Sequence, residues 1–448
     1  MYDVVIVGGG LAGLTAAWQC RDKELLVLES DNRVGGRIKS EKRGDYWLNT
    51  GGHVFSGPGS QTQELADEVG VEIRRIDGHL AGLAMNGALI TKGAVELYPL
   101  RIPMSFKDRL SLVISGIKVR LAVLYFARIS KRKPDEDYWT FQNRIYNYKN
   151  DRTFADFVGK TSGDAMAMFA ATVTRSGGRV NEVAAGTGIG YFKIVWDKSP
   201  SLGNSIWGGA SVFPETIAAK LGDRVKLNSP VKEVVVNDDH VSISYTDSTG
   251  DHTVLAKQVV MAAPATTTYK VLKNAPDDLM AALGQIKYAP YVAAAFLTNE
   301  EKAVWDNSYG IAAPKRSFTI FTNQTSVIRS SEKQRAKGSS IFVFTATDWA
   351  EKLIKEDDKT ILETYYKDLN EIFPGFSDRV VEHQITRWHE GQTFNFPGRA
   401  KLQPIFTRDN GRVHLAGDFL GTFYTETAIT TGKIAGQNVL QKLAKETK

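Results

Sequence analysis

The chain has 448 residues, 42% of them apolar, enough to bury more than one core, so two interwoven domains are expected. Its single cysteine, Cys20, excludes a disulfide framework and any cysteine-rich metal site. The seven histidines show no metal-ligand spacing, so no metal is expected. The net charge of +6 accompanies no recognition motif for nucleic acid, which argues against that class of partner.

From the first residue onward, Tyr2-Asp3-Val4-Val5-Ile6-Val7 has the character of a buried parallel strand and runs straight into Gly8-Gly9-Gly10-Leu11-Ala12-Gly13. A second apolar strand, residues 25–28, ends on Glu29, about 20 residues beyond the first glycine. Together these form a dinucleotide-binding βαβ unit. Gly8 allows the tight turn, Gly10 lets the backbone approach a pyrophosphate, and Gly13 lets helix and strand pack closely. The helix N-terminus, with Leu11 and Ala12, turns unpaired N–H groups toward the phosphates, and Glu29 is placed to accept hydrogen bonds from a ribose diol. A strand beginning at residue 2 leaves no room for a signal peptide. No uninterrupted apolar run is long enough to span a bilayer, so a cytoplasmic location is expected.

The segment Asp31-Asn32-Arg33-Val34-Gly35-Gly36-Arg37 extends this fingerprint. Gly35 and Gly36 let the chain pass close to a long ligand, and Arg37 can offer a bidentate fork to a diphosphate or flavin oxygen. The combined pattern of Gly8, Gly10, Gly13, Leu14, Glu29, Arg33, Gly35, Gly36 and Arg37 resembles the flavin amine oxidase superfamily. That group includes monoamine and polyamine oxidases, L-amino-acid oxidases, protoporphyrinogen oxidases and carotenoid-type desaturases. The resemblance implies FAD rather than NAD. One departure is a first helix and turn, residues 15–24, slightly shorter than usual.

Further along, Leu48-Asn49-Thr50-Gly51-Gly52-His53 resembles the family's turn beside the flavin ring, which would put Gly51 and Gly52 at the cofactor. Residues 106–133, preceded by Tyr98-Pro99-Leu100, interleave apolar side chains with eight lysines and arginines. They read either as a basic amphipathic helix making peripheral contact with an anionic membrane, or as a substrate-domain helix with its apolar stripe turned inward. Gly208-Gly209 precedes a helical stretch over 212–221. Strands follow at 231–236, 241–245 and 254–261, ending in Ala262-Ala263-Pro264, and the resemblance gives Val231 the place of the valine whose backbone reads adenine. The strand 291–297 before Trp305 lacks the lysine that many amine oxidases hold, through water, near the flavin. The segment after Trp388 lacks the cysteine of covalent flavin sites, so the resemblance implies non-covalent FAD. Near the end, the strand 412–416 breaks at Gly417-Asp418, and Tyr424-Thr425-Glu426-Thr427-Ala428 opens a last helix through about residue 443. In the family this is the second flavin segment, with Gly417, Asp418 and Thr425 at the cofactor. A helix N-terminus there would stabilise negative charge on the reduced flavin.

A flavin carries the electron chemistry, so the protein must hold the donor carbon, exclude water and set the substrate's protonation state. The resemblance implies two aromatic rings flanking the substrate over the flavin. Tyr424 matches the second, and the first is expected in the segment Trp388-His389-Glu390-Gly391-Gln392-Thr393-Phe394-Asn395-Phe396-Pro397-Gly398, with Phe396 chosen and Trp388 beside it. The expected fold is α/β: a discontinuous, Rossmann-like FAD-binding domain of residues 1–80, 205–285 and 385–448, with a mixed α+β substrate domain of 81–204 and 286–384. The expected reaction is an amine oxidase reaction on a small molecule with O2 as acceptor. Two alternatives stay open: a desaturase or porphyrinogen oxidase acting on a bulky lipophilic substrate, and a non-redox flavin mutase suggested by Gly52-His53-Val54-Phe55. Neither the substrate nor the oligomeric state is legible.

Overall fold

A long strand, Gly250–Met261, organises the first sheet of the computed structural model, which describes residues 1–77, 82–161, 163–196, 201–306, 308–328, 337–422 and 424–446. One edge of this strand pairs in parallel with Tyr2–Val7, Val5 opposite Val259. Its other edge is shared: the first part runs antiparallel to Val241–Asp247, and the last three residues pair in parallel with Val413–Leu415. Leu25–Leu28 and Val225–Lys226 extend the sheet beyond Tyr2–Val7, and Val231–Val236 and Leu272–Lys273 extend the opposite side, for eight strands.

The unbroken apolar run at the N-terminus follows from this placement, because a central parallel strand is covered on both faces. Val4 and Ile6 point into a core made with Leu14, Ile217 and Val439, whereas Val5 and Val7 point into a second core with Val259, Leu279 and Phe406. The first core lies under the first helix, Leu11–Gln19, and the last helix, Tyr424–Glu446, which pack backbone against backbone.

A second sheet of seven strands runs in the order Val380–Thr393, Tyr288–Thr298, Ser340–Thr345, Ile320–Asn323, Gly310–Ala312, Gly82–Met85 and Ala88–Ile90. Val380–Thr393 pairs along most of its length with Tyr288–Thr298, so the expected domain boundary at 385 falls inside a strand of the second sheet. Sheet pairing, a tertiary matter, keeps that strand with the second unit through Thr393. Helices Phe106–Ile129, Gly163–Val173 and Ala185–Val195 gather beside this sheet around the rings of Phe154, Phe169 and Phe192. The architecture is the expected α/β unit with a mixed second unit.

Among the described helices, Phe106–Ile129 is long and apolar enough to cross a membrane by length and composition. Lys118 and Arg120 interrupt its apolar residues, so it is not the uninterrupted apolar run that the sequence was found to lack. Leu112, Val119, Val123 and Phe126 pack inward, while Phe106, Ile114, Leu121 and Tyr125 are more than half exposed, so the helix lies along the surface with apolar groups on both sides.

Candidate functional site

The glycine turn after Tyr2–Val7 is as tight as its sequence demands. A Cβ on Gly13 would fall against the carbonyl oxygen of Gly8, far inside ordinary contact. Gly10 differs: a Cβ there would meet nothing within 4 Å, and one on Gly36 would meet only the Cα of Gly10, at 3.6 Å. These two bare stretches of backbone are held side by side, with the Gly35 N–H donating to the Gly9 carbonyl at 2.9 Å. Arg33 braces the second stretch by donating to the carbonyls of Val34, Ile38 and Gly36. The helix beginning at Leu11 has no side-chain cap and no acid in its first turn. Its first N–H groups therefore need an external acceptor, which suits a pyrophosphate.

Glu29 is buried, and both its oxygens serve the turn: one accepts the Gly9 N–H at 2.6 Å, and the other accepts the Asp31 N–H at 2.9 Å. Val231 begins its strand nearby, since the Ser229 N–H donates to the Glu29 carbonyl at 2.7 Å. The Arg37 fork is bidentate as expected, but it grips the Asp418 carboxylate at 2.8 and 2.6 Å rather than pointing at a phosphate. Burial works against the Arg37 charge, but Asp418 outweighs it and holds the guanidinium pKa above its ordinary value. This pair ties the N-terminal fingerprint to the Gly417–Asp418 turn near the C-terminus. Gly51 and Gly52 join the same knot through the Gly52 N–H, which donates to the Arg37 carbonyl at 2.9 Å. At Gly417 the N–H donates to the Thr431 hydroxyl at 3.0 Å, and the Thr425 hydroxyl donates to the Val54 carbonyl at 2.9 Å. Glu426 accepts from the Gln61 and Thr62 N–H groups, capping the helix Gln61–Val69.

Tyr424 stands at the start of the last helix, and its partner ring is Tyr191. The Tyr191 hydroxyl donates to the Tyr424 oxygen, with ring centroids 6.3 Å apart and planes at 51°. Gln392 Nε2 donates to the Tyr191 oxygen at 3.1 Å, and Gln392 Oε1 accepts from Tyr291 at 3.1 Å. Tyr291 also lies 3.1 Å from the Arg175 carbonyl. Burial pushes the Tyr191 phenol up to about 12 and those of Tyr291 and Tyr424 well above their usual value, so all three stay protonated. The Arg175 guanidinium faces Tyr191, Tyr291, Tyr309 and Tyr424, and burial lowers its pKa. Phe396 lies elsewhere, packed between two core clusters with Lys287 Nζ 5.0 Å from its ring centroid. Trp388 does structural service: its indole N–H donates to the Thr50 carbonyl at 2.7 Å, fastening the second sheet to the Gly51–Gly52 turn. His53 Nδ1 lies 2.9 Å from the Gly51 carbonyl and Nε2 lies 3.1 Å from the Tyr309 hydroxyl. Burial depresses its pKa, so the ring is neutral.

Tyr191, Gln392 and Arg175 were not foreseen. Gln392 had a signal, because Trp388, Glu390 and Gln392 alternate along one face of a strand. Each binds across to another element, at Thr50, Thr266 and Tyr191 respectively.

A family model described as flavin containing amine oxidoreductase matches residues 11–440. A probable flavin-containing monoamine oxidase A of Dictyostelium discoideum is 25% identical over 392 residues, covering 82% of this chain and 80% of its own. Putrescine oxidase of Kocuria rosea is 28% identical over 275 residues, covering 58% of this chain and 56% of its own. Among solved structures, putrescine oxidase bound to putrescine superimposes with a TM-score of 0.78 at 16% identity, covering 98% of this chain and 99% of that one. Cyclohexylamine oxidase from Brevibacterium oxydans gives 0.77, also at 16% identity, with 99% of both chains covered. At such identity the likeness of structure is one of fold.

Proposed function

The chain belongs to the flavin-containing amine oxidoreductase family, an FAD-dependent class of oxidoreductases, and from that premise we propose that it oxidises an amine at a C–H bond next to nitrogen and passes the electrons to O2. The observation that carries this reading is the pairing of Tyr424 with Tyr191 at the start of the last helix, with Gln392 bridging behind them. In the proposed reaction the carbon gives up a hydride, the nitrogen lone pair closes to an imine, and water adds to the imine and expels ammonia or the remaining amine, leaving a carbonyl. O2 takes the two electrons and two protons and leaves as hydrogen peroxide.

The residues present fit FAD. The uncovered backbone at Gly10 and Gly36 and the uncapped helix at Leu11 suit its pyrophosphate. Glu29 suits its ribose, and the backbone at Val231 suits its adenine. Bound there, FAD would supply the two-electron acceptor. The two tyrosine rings would orient the donor carbon, and their protonated phenols could donate hydrogen bonds but not remove a proton. The cofactor is proposed to be non-covalent. Cys20 sits in the first-helix region with its Sγ 3.6 Å from the Gly436 carbonyl, and burial pushes its thiol up to about 12, so it offers no thiolate to a flavin ring. Denaturing the yellow protein with acid should therefore release FAD into the supernatant, and colour retained by the pellet would refute this.

Two further observations bear on the setting. The strand Tyr288–Thr298 contains no lysine, so O2 activation is not assigned to a residue here. The exposed apolar groups of Phe106–Ile129, flanked by Lys107, Arg109, Lys118, Arg128 and the 131–133 cations, support peripheral contact with an anionic membrane and a lipophilic substrate. His53 of the mutase-like motif is fully engaged with Gly51 and Tyr309, which gives the isomerase reading no support. A peroxide-coupled screen of primary, secondary and aromatic amines tests the oxidase reading, and no peroxide from any amine would count against it. Co-sedimentation with phosphatidylserine vesicles but not phosphatidylcholine vesicles tests the membrane contact.

A further inference from the structure

A cavity of about 290 Å³ lies between the helix Phe106–Ile129 and the helices Gly163–Val173 and Ala185–Val195. Its walls are apolar, with Leu112, Ile117, Met168, Phe169 and Phe192 among them. Two buried polar atoms of this lining make no hydrogen bond, and the lining also holds the arginine Arg175. Tyr98 Oη and Trp196 Nε1 are buried and make no hydrogen bond. Among the described residues, Arg175 has no carboxylate within ion-pair distance of its guanidinium. The other charged groups of the lining are Glu96, exposed at the rim, and Arg120, whose guanidinium lies 5.3 Å from the Trp196 ring centroid. The Arg175 carbonyl in turn belongs to the network of Gln392 and Tyr291 that reaches Tyr191 and Tyr424.

An apolar cavity that presents the Trp196 N–H, the Tyr98 hydroxyl, which can donate or accept, and the Arg175 guanidinium suits an apolar ligand that carries acceptors. A cation beside an ammonium group is repulsive, by about 1 to 4 kcal/mol at 4 Å, whereas a carboxylate matches the planar fork of an arginine. We propose that Arg175 receives the carboxylate of an amphiphilic substrate whose apolar part occupies the cavity beneath Phe106–Ile129. Only the fate of that substrate rests on the oxidase reading; its binding does not. Arg175 belongs both to the cavity lining and to the tyrosine cluster of Tyr191 and Tyr424 that its guanidinium faces, so a carboxylate held there would stand between the two.

The test is a binding titration of the FAD-loaded protein with dodecanoate, dodecylamine and dodecanol, followed by calorimetry. Dodecanoate is expected to bind at least about tenfold more tightly than dodecylamine. Arg175→Gln should weaken dodecanoate by about tenfold or more and leave dodecanol nearly unchanged. Gly116 lines the cavity, and a Cβ there would meet nothing within 4 Å, so Gly116→Phe should place a ring in the cavity and abolish binding of both dodecanoate and dodecanol. Equal affinity for the amine and the acid, or full dodecanoate affinity in either variant, would overturn the proposal. The ligand comparison on the unsubstituted protein decides the matter even if Arg175→Gln fails to fold. Absence of peroxide from any amine would refute the oxidase reading while leaving these binding results standing.

Discussion

Two identical substitutions in two helices should differ in their effect on stability. Gly432 of the last helix faces the first helix so closely that a Cβ would press on the Ala12 carbonyl oxygen and lie 2.9 Å from the Thr15 Cβ. Real Cβ atoms essentially never come within 3.0 Å of such neighbours, so in Gly432→Ala the two helix backbones must separate. Gly116→Ala adds the same methyl into open space. Both variants gain the same helix propensity, about 1 kcal/mol relative to glycine. In the difference between them that gain cancels and the overpacking cost remains, about 1–3 kcal/mol. Urea unfolding should therefore rank Gly116→Ala above the unsubstituted protein and Gly432→Ala below Gly116→Ala by this amount. Because Ala12 lies in the first turn of the helix proposed to face the pyrophosphate, Gly432→Ala should also lose FAD on dialysis, and Gly116→Ala should not. Equal midpoints and equal flavin content for the two variants would refute the close-packing argument.

Tyr424→Phe should keep much of the amine-dependent flavin bleaching, because the ring face remains, whereas Tyr424→Ala should lower it strongly with FAD still bound; a folded, FAD-loaded Ala variant that bleaches at the original rate removes Tyr424 from the site. Glu29→Ala should weaken FAD retention by more than its ribose bond alone, roughly 1.5–3 kcal/mol, because the Gly9 and Asp31 N–H groups lose their acceptor as well; full occupancy after prolonged dialysis would contradict that role. Burial chiefly lowers the His414 pKa from 6.5 to about 4, so the unfolded chain binds the extra proton first as pH falls. The neutral ring thus contributes stability above pH 6.5, about 3 kcal/mol, which is lost as pH drops through the window down to about 4. His414→Gln should flatten that part of the stability profile, and an unchanged slope would refute the assignment.

The turn proposed to hold the cofactor was legible as backbone structure because its signal is local. Each feature from Val4 to Arg37 has a backbone reason that a short stretch of sequence states in full. The region proposed to take the substrate was not, because its parts meet only through tertiary packing. Tyr191 sits in a helix with no capping residue or spacing to mark it, and Arg175 lies in a short turn. Phe396 was chosen as the ring beside Tyr424, but the strand that carries Trp388 and Gln392 ends at Thr393, and the chain has left the sheet by Phe396. The Arg37 fork was foreseen and its target was not, since Asp418 is 381 residues away along the chain. The helix Phe106–Ile129 was foreseen as a helix, yet apolar residues on both faces blur the periodicity that would separate inside from outside.

The sharing of Gly250–Met261 between the first and last strands has a consequence for biosynthesis. Val4 to Val7 cannot be covered on both edges and both faces until the partners at 256–261 and the closing helix Tyr424–Glu446 have left the ribosome. At about 5–20 residues per second, on the order of 20–80 s separates emergence of the first strand from emergence of the last helix. Parallel pairing across such a separation is also slow to form. During that interval an apolar strand paired on one edge with Leu25–Leu28 keeps its other edge open, so the nascent chain should depend on a holding chaperone more than its finished stability would suggest.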